Sequence, residues 1–538
     1  MINLLIDQWI PVQRKDGARD VISPLDLLSD SPENPVKSIA TIRPDFDGAV
    51  LQFLIGFYQV LLSPEDTDEW KELLDSPPTV ESLQKRIDQI KPAFIPDGPD
   101  HRFMQDSSVR DTDVWEIQNL LIEINNTHFL KKGTIQHLCP KCAVLALLTL
   151  ELNSPSGGRG HMTSLRGGGP LTTLVCVPDE QTTLWHTVLL NLISTDMFPS
   201  KGDLTVNQSV IKIIFPWLGI LPNSEGGDVI VPKDMHPYHV YWNVPRRIFL
   251  NFEDTTSGNC DLCGEKSEVL LSKYWSRPNG IKYDSWTHPL TPYYIKTDKA
   301  GDLHLPVRGK EGGVTYANWI GIVMGSTEAG RIPASVVKTL PDRLYKDPEY
   351  PELKVNVFGY VTDNAKARAW QEGILPTITV PNEFRAAFLN EASRLVSTAS
   401  EILFMLISRI KDGYSRDARN MKGDFSEVRV SFWHQTESVF YEALEKLTAS
   451  IPADSSRSDE LHPMTDEVKK SWLFEMRNVT LSLFKERVTF PIYGEADPGL
   501  SAHAELALRG YLSNNNAKVC KSLGLPAPEK VSKQKVKK

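Results

Sequence analysis

The sequence contains little cysteine, six residues in 538. That is too few for a disulfide scaffold, and four of the six fall in two C-x-x-C pairs, an arrangement typical of a reducing compartment. We therefore expect a cytoplasmic protein. The longest apolar runs, such as residues 143–150, are well short of the ~18 residues that span a bilayer. The N-terminal MINLLIDQWIPV also lacks the basic start of a signal peptide, so no membrane role is expected.

The chain also lacks an excess of positive charge. Its net charge is -9 at pH 7, from 59 lysines and arginines against 68 aspartates and glutamates. This balance argues against a protein that coats nucleic acid through a general positive field, so any such contact must be local. Hydrophobic residues make up 41% of the chain, and its length exceeds what one core organises. We expect two or more globular domains.

The most specific motif is the combination of Cys139-x-x-Cys142 with Cys260-x-x-Cys263. Each C-x-x-C turn places two thiolates at tetrahedral spacing, and two turns complete a zinc site with Zn–S distances of about 2.3 Å. Such a zinc would be structural, because all four ligands come from the protein. It would also fix two distant segments together. The alternative is two unrelated pairs of reduced thiols.

Two other segments suggest contacts with nucleic acid. Residues 154–169 are dense in glycine but lack the Lys-Ser/Thr ending of a phosphate-binding Walker loop. Such a segment is either a flexible surface loop or a backbone that approaches a groove closely. Phe129, beside Lys131 and Lys132, could stack an unpaired base, although a single phenylalanine is more often part of a core. No catalytic triad or carboxylate pair stands out.

Hydrophobic periodicity predicts an α+β protein whose two parts differ. The first part has a strand at residues 2–12, helices at 47–62 and 79–90, and a β-hairpin with a polar tip within 353–379. From residue 382, apolar residues recur three, four or seven apart. This pattern predicts four amphipathic helices, and hence a four-helix bundle, over residues 382–413, 427–447, 465–484 and 501–512.

Taken together, these features resemble the large subunit of the type I-E CRISPR Cascade complex, the CasA family. The resemblance covers nearly the whole chain. It implies a large irregular N-terminal α/β domain with a structural zinc site, followed by a C-terminal four-helix bundle. It is carried by residues 3–12 (NLLIDQWIPV), Phe103-Met104-Gln105, both C-x-x-C pairs, the glycine loop with Leu165-Arg166-Gly167-Gly168, Trp286-Thr287-His288-Pro289, Gly359-Tyr360 and the terminal helices.

The domains are expected at residues 1–380, which carry the zinc site and the DNA- and RNA-contacting loops, and at 381–525, the bundle. Residues 526–538 form a lysine-rich tail that we expect to be disordered.

The resemblance implies a non-catalytic subunit of an RNA-guided surveillance complex. Such a subunit recognises the protospacer-adjacent motif in duplex DNA from the minor groove, promotes strand opening and R-loop formation, and helps to recruit a helicase-nuclease. The implied partners are the 5′ handle of the guide RNA, the target double-stranded DNA, the backbone and small Cascade subunits, and the helicase-nuclease.

The resemblance also implies site residues. DNA contacts fall on the glycine loop, on a strand-separating wedge at the hairpin tip, and on a basic finger that is either Arg277 or Lys273. Arg159 stands where the family has a glycine, and Asn364 stands in the wedge position. The DNA-binding set is Gly157, Gly158, Arg159, Gly160, Lys273, Arg277, Asp363, Asn364, Ala365 and Lys366, and the RNA-binding set is Asn126, His128, Phe129, Leu130 and Lys131.

Two other functions remain open. A zinc-dependent hydrolase or deaminase would need a His-x-Glu partner and an open coordination position. The nearest histidine, His137, is followed two residues later by Cys139, and the second cysteine pair would close the site. A scaffold protein without DNA recognition is the second alternative.

Overall fold

The computed structural model describes residues 2–122, 130–158, 160–177, 182–200, 202–299, 301–344, 353–363, 366–451, 464–489, 496–514 and 516–526. It forms two compact units. Unit 1 comprises Met1–Lys310 and Gly321–Thr377, and unit 2 comprises Glu311–Ile320 and Ile378–Lys538.

Unit 1 mixes short helices with small antiparallel sheets, and unit 2 is helical in its described residues, which confirms the predicted α+β class. The strands are β1 (Ile10–Arg14), β2 (Arg19–Ile22), β3 (Val36–Ile39), β4 (Val114–Glu116), β5 (Thr172–Cys176), β6 (Arg247–Leu250), β7 (Thr255–Asn259), β8 (Lys266–Leu271), β9 (Lys273–Arg277), β10 (Tyr293–Asp298), β11 (Gly301–Pro306), β12 (Arg331–Ile332), β13 (Lys354–Asp363) and β14 (Lys366–Pro376).

The α-helices of the described residues differ widely in length, from four to 33 residues. They are α1 (Pro44–Leu62), α2 (Thr67–Asp75), α3 (Val80–Ile90), α4 (Pro140–Asn153), α5 (Leu184–Leu189), α6 (Ile211–Ile214), α7 (Ser335–Lys338) and α8 (Leu340–Leu344) in unit 1, and α9 (Asn382–Tyr414), α10 (Ser426–Gln435), α11 (Glu437–Ala449), α12 (Asp466–Thr489), α13 (Pro498–Tyr511) and α14 (Ala517–Leu523) in unit 2.

The described strands form small sheets, and two of them position the candidate site. The hairpin β13–β14 carries β5 on its other edge, in the order β14-β13-β5, and β9 lies between β4 and β6. Both sheets are antiparallel. Because β5 directly follows the glycine-dense segment, the sheet attaches that segment to the hairpin.

The core of unit 1 is built on α1. Its residues are buried on nearly every side, and the ring of Phe53 lies in edge-to-face contact with four other aromatic rings at centroid distances of 5.4–5.9 Å: Trp9, Phe94, Phe103 and Trp242. By length and composition α1 could cross a membrane, with 19 residues and a mean hydropathy of 1.2, but 89% of that window is buried inside the structure. Core helices pass the same test, so α1 is weak evidence for a span.

Unit 2 is helical where the sequence predicted a bundle, with three differences. The predicted helix at residues 427–447 is divided at Thr436, whose hydroxyl bonds to the carbonyl of Phe432 at 2.6 Å and lies 2.9 Å from the Tyr316 hydroxyl. The ring of Tyr316 stacks on Phe440 at 4.5 Å. The segment Glu311–Ile320 therefore packs in the helical core, and one boundary near residue 380 does not capture it. The short helix α14 is a further addition.

Two buried histidines make the stability of unit 1 depend on pH. His239 Nδ1 lies 3.0 Å from the carbonyl oxygen of Ile214, so Nδ1 carries the proton and Nε2 accepts from the Tyr283 hydroxyl at 3.0 Å. Burial lowers the pKa of His239 from 6.5 to about 4, and it lowers the pKa of His236 to the same value. Both rings are therefore neutral at neutral pH.

We expect the free energy of unfolding to fall as the pH drops from about 6.5 to about 4. The unfolded chain takes up these protons near pH 6.5 and the folded chain only near pH 4, so the contribution is intact above this window and lost within it. The slope is about 1.4 kcal/mol per pH unit for each histidine. Urea unfolding of the full chain measures it. His239→Gln should reduce the slope. A wild type whose stability did not change with pH would contradict the expectation.

Candidate metal centre and nucleic-acid interface

The two C-x-x-C pairs come together as predicted. One ligand atom from each of Cys139, Cys142, Cys260 and Cys263 lies within 4.8 Å of the others, and the Sγ atoms of Cys139 and Cys263 are 3.8 Å apart. A tetrahedral zinc with Zn–S distances near 2.3 Å requires S···S separations of about 3.8 Å. The cluster is thus arranged as a four-thiolate metal site, and all its members are protein ligands.

Local geometry explains why these residues form knuckles. Cys139 caps the N-terminus of α4, with proline next in the chain, and its amide donates to Cys260 Sγ at 3.3 Å. In the second pair, Gly264 has φ +76° and its amide donates to the Cys260 carbonyl at 2.9 Å. That left-handed turn favours glycine. In each turn the backbone amide of the second cysteine, Cys142 or Cys263, donates to the sulfur of the first.

The thiols are electrostatically coupled. Hydrogen bonding to Cys139 and Cys260, together with burial, raises the pKa of the Cys142 thiol above its usual range, whereas hydrogen bonds from Cys139 and Cys142 lower the pKa of Cys260. Four thiolates this close repel one another unless a cation lies between them. Four sulfur donors favour zinc among the common divalent ions.

The metal centre is joined to the glycine-dense segment by α4. Leu138 pairs with Leu271 at the end of β8, and the Asp261 carboxylate accepts the amides of Gln136 and His137 at 2.7 Å. These bonds fix the β7–β8 hairpin to the start of α4. The helix is buried from Cys142 to Asn153, and its 14 residues span about 21 Å. Its far end opens directly into the glycine loop.

The predicted glycines have different roles. A Cβ on Gly157 would collide with the Arg246 guanidinium, and a Cβ on Gly160 would lie 2.6 Å from Pro278 Cβ. Gly158, at φ +95°, faces open space with nothing within 4 Å. Packing alone therefore requires glycine at 157 and 160, and Gly158 is the one of the three whose backbone is open. Arg159 lies outside the described residues.

The glycine loop is held at both ends. Arg166, fully buried, donates to the Leu152 carbonyl before the loop at 3.2 Å and to the Thr172 hydroxyl after it at 2.8 Å. Near the exit, a Cβ on Gly169 would lie 2.6 Å from Cγ2 of Thr362 on β13. The loop therefore packs against the strand that leads to the hairpin tip.

The predicted hairpin is confirmed. β13 and β14 pair antiparallel, and Asp363 is opposite Lys366 at the tip. Asp363 also forms an ion pair with Arg368 at 2.7 Å, between exposed side chains. Asn364 and Ala365 lie outside the described residues.

Neither candidate for the basic finger joins the glycine loop in one cleft. Lys273 and Arg277 are the first and last residues of β9, so their Cα atoms are roughly 13 Å apart. Lys273 Nζ lies 3.6 Å from the Asp254 carboxylate. Arg277 is exposed and directly precedes Pro278, the residue that contacts Gly160. Arg277 is therefore nearer to the loop, although its side chain is on the opposite strand face from Tyr274.

Residues that sequence reasoning missed line a cleft between the loop and the hairpin. Gly157 and Gly158 form part of its wall, together with Lys366 and Ala367 of β14. The unexpected members are Trp115, His161, Arg246 and Tyr274. Of these four residues, only His161 could have been found from the sequence, because it directly follows the glycines. The other three come from separate strands or their flanks and carry no local motif.

Only part of the predicted RNA-contacting set can be placed. Asn126, His128 and Phe129 lie outside the described residues. Lys131 is exposed, and its carbonyl accepts from both the amide and the hydroxyl of Thr134 at 3.2 and 2.7 Å. Leu130 is half-buried.

Comparisons with known proteins give one consistent family. The family described as CRISPR-associated protein Cse1 matches residues 3–483. Among solved structures, CasA of Thermus thermophilus matches with TM-score 0.66 and 16% identity over 95% of this chain and 99% of that chain. Thermobifida fusca Cse1 matches with TM-score 0.67 and 16% identity over 97% and 98%. A chain of a CRISPR RNA-guided surveillance complex matches with TM-score 0.66 and 15% identity over 95% and 99%.

Proposed function

This chain belongs to the CRISPR-associated Cse1 family, and we propose that it is the non-catalytic large subunit of an RNA-guided surveillance complex, Cascade. In that complex it recognises the protospacer-adjacent motif in duplex DNA from the minor groove and promotes strand opening and R-loop formation. It also helps to recruit the helicase-nuclease. One observation carries the proposal, namely that the open part of the glycine loop and the base of the hairpin tip line the same cleft.

The glycine loop suits a minor groove because its open residue presents backbone rather than side chain. Gly158 has no atom near the position of a Cβ, so its amide can approach a narrow groove that side chains would block. The minor groove offers degenerate hydrogen-bond patterns. We therefore expect tolerance among related motifs, while the guide RNA supplies most of the sequence specificity.

The hairpin suits strand opening because strands on both edges of β13 hold its base, residues 354–358, in place. β13 is ten residues long, pairs with β14 along its length, and also pairs with β5. Contact between Gly169 and Thr362 links the tip to the glycine loop. We propose that Asn364 acts as the wedge and that Lys366 meets phosphate.

On the RNA side, we propose that residues 126–131 contact the 5′ handle of the guide RNA and anchor the subunit. The zinc would hold Cys139 and Cys142, a few residues beyond this segment, at the start of α4. The metal's role is structural and supplies no reaction chemistry. It would set the spacing between the RNA-contacting segment and the DNA-contacting loop.

Replacing Phe129 with alanine should release the subunit from the RNA-bound complex, because a base would lose its stacking partner, worth about 1–3 kcal/mol. Co-purification of the other subunits with tagged protein measures the loss. Phe404→Ala, which removes a 73% exposed ring on α9, is the control and should leave co-purification unchanged. Normal recovery of the Phe129 variant would contradict the handle contact.

Native purification tests the proposed function as a whole. We expect the tagged chain to bring down a short repeat-derived RNA together with the backbone and small subunits. Recovery of the chain alone, or with proteins but no RNA, would contradict it and would favour a scaffold.

A further inference from the structure

The cleft beside the glycine loop has the dimensions of a ligand site. It measures about 510 Å³, within the ~300–1,000 Å³ of small-molecule pockets. Its walls come from β4, β6, β9, the glycine loop and the start of β14. It is therefore a built cleft between elements of unit 1 and does not depend on a single loop.

One wall is an aromatic platform. The indole of Trp115 lies nearly parallel to the ring of Tyr274, with centroids 6.5 Å apart and an interplanar angle of 24°. His161 meets the same indole edge-on at 5.8 Å. Trp115 nevertheless remains 38% exposed. A large aromatic side chain that is fixed on one side and open on the other is suited to stacking a planar ligand.

Besides the aromatic wall, the cleft has a positively charged lining. Its lining residues include Arg246 and Lys366 and, among the described residues, no aspartate or glutamate, although the chain carries a net charge of -9. Arg246 is only 8% exposed and donates to the Pro155 carbonyl at 2.6 Å, while its Nε has no hydrogen-bond partner. The unpartnered Nε is itself buried, so what the cleft offers a ligand is the charge of the guanidinium, which favours an anionic or acceptor-rich group.

The carboxyl group nearest to Arg246 does not remove this preference. Glu151 is fully buried behind the arginine, and one of its oxygens accepts the Arg246 amide at 3.1 Å. Burial raises the pKa of Glu151, so a negative charge there is disfavoured. Burial and the charge of Arg246 lower the pKa of His161, which leaves that ring neutral at neutral pH.

We propose that this cleft binds one unpaired nucleotide of the target DNA, with its base stacked on Trp115 and its phosphate beside Lys366 and Arg246. The proposal rests on the proposed function, because the glycine loop and hairpin at the mouth of the cleft are where a duplex would be opened. Stacking needs no particular base. The site would hold a base extruded at the opening junction and so stabilise the first step of strand separation.

Binding of the assembled complex to two DNAs tests the site. Both carry the adjacent motif and one unpaired position at its junction with the guide-complementary segment, occupied by thymidine in one DNA and by an abasic residue in the other. We expect the abasic DNA to bind roughly tenfold more weakly or worse, because the stacking contribution is lost. Trp115→Ala should bind both DNAs alike, whereas Trp115→Phe should keep the discrimination.

The other outcomes separate this site from the proposed function. Equal binding of the two DNAs by the wild type overturns the nucleotide site. Binding that ignores the motif in a fully paired duplex overturns the proposed function. If millimolar thymidine monophosphate abolished the difference in affinity between the thymidine and abasic DNAs, the site would belong to free nucleotides. If the Trp115→Ala complex lost its guide RNA, the site would belong to RNA. Either result contradicts the assignment to DNA.

Discussion

Replacing Cys260 with serine is expected to remove the bound metal and to lower the free energy of unfolding of unit 1 by about 4 kcal/mol or more. Four sulfur ligands drawn from two segments make the metal a cross-link between the start of α4 and the β7–β8 hairpin. Serine cannot replace a thiolate, and three remaining thiols would stay crowded in a buried site.

Metal content and thermal unfolding measure this effect on the full chain. The wild type should contain one zinc per chain and the Cys260→Ser protein none. Cys176→Ser is the matched control, because Cys176 lies on β5 in the same unit but is not a member of the cluster. If the two serine variants were equally stable, or if the wild type contained no metal, the structural role of the cluster would be wrong.

Replacing Gly158 with aspartate should weaken binding of the assembled complex to motif-bearing duplex by about tenfold or more, while leaving guide RNA and subunit content unchanged. The substitution adds bulk and a negative charge where the backbone would face phosphates. Nothing lies within 4 Å of the added Cβ, so the side chain meets no neighbouring element, and the remaining cost is the backbone strain of a non-glycine residue at φ +95°.

The charge and the shape of this variant can be separated. Asparagine has nearly the same shape as aspartate, and both must adopt the same backbone conformation at φ +95°. The difference in affinity between the Gly158→Asp and Gly158→Asn complexes therefore reports the effect of the charge. Gly160 is a poorer test site, because a side chain there would displace Pro278. Gel-shift titrations with the three complexes suffice. Wild-type affinity of the Gly158→Asp complex would exclude the loop from the interface.

Local chemistry made some of the structure predictable. The two C-x-x-C turns were expected to meet because four thiolates at this spacing form a tetrahedral metal site. The hairpin was expected because two strand-like segments flank a polar tip. Helix α1 was predicted at residues 47–62 and is found at Pro44–Leu62. In contrast, the strand predicted at residues 2–12 begins only at Ile10, because Asn3 and Asp7 close a turn through side chain to backbone bonds of 2.6–3.0 Å.

The cleft could not be predicted, because its chemistry comes from residues that only the fold brings together. Trp115, Arg246 and Tyr274 belong to three strands of one sheet or their flanks, and none has a distinctive local motif. Gly160 shows that packing can also require a glycine that was predicted to contact the groove, and its contact with DNA stays a prediction. A glycine that resembled a groove contact is required by the Pro278 side chain and by φ +80°. The packing of Tyr316 against Phe440 in unit 2 is likewise a long-range contact without a sequence signal.

Photo-crosslinking from the hairpin tests the central claim most directly, namely that the glycine loop and the hairpin form one DNA-contacting surface. A photoreactive amino acid replaces the exposed Lys366 in the assembled complex bound to motif-bearing duplex, and the same residue at Phe404 is the control. We expect crosslinks from position 366 to nucleotides beside the motif and none from position 404. Crosslinks from position 366 to guide RNA or protein alone would contradict it.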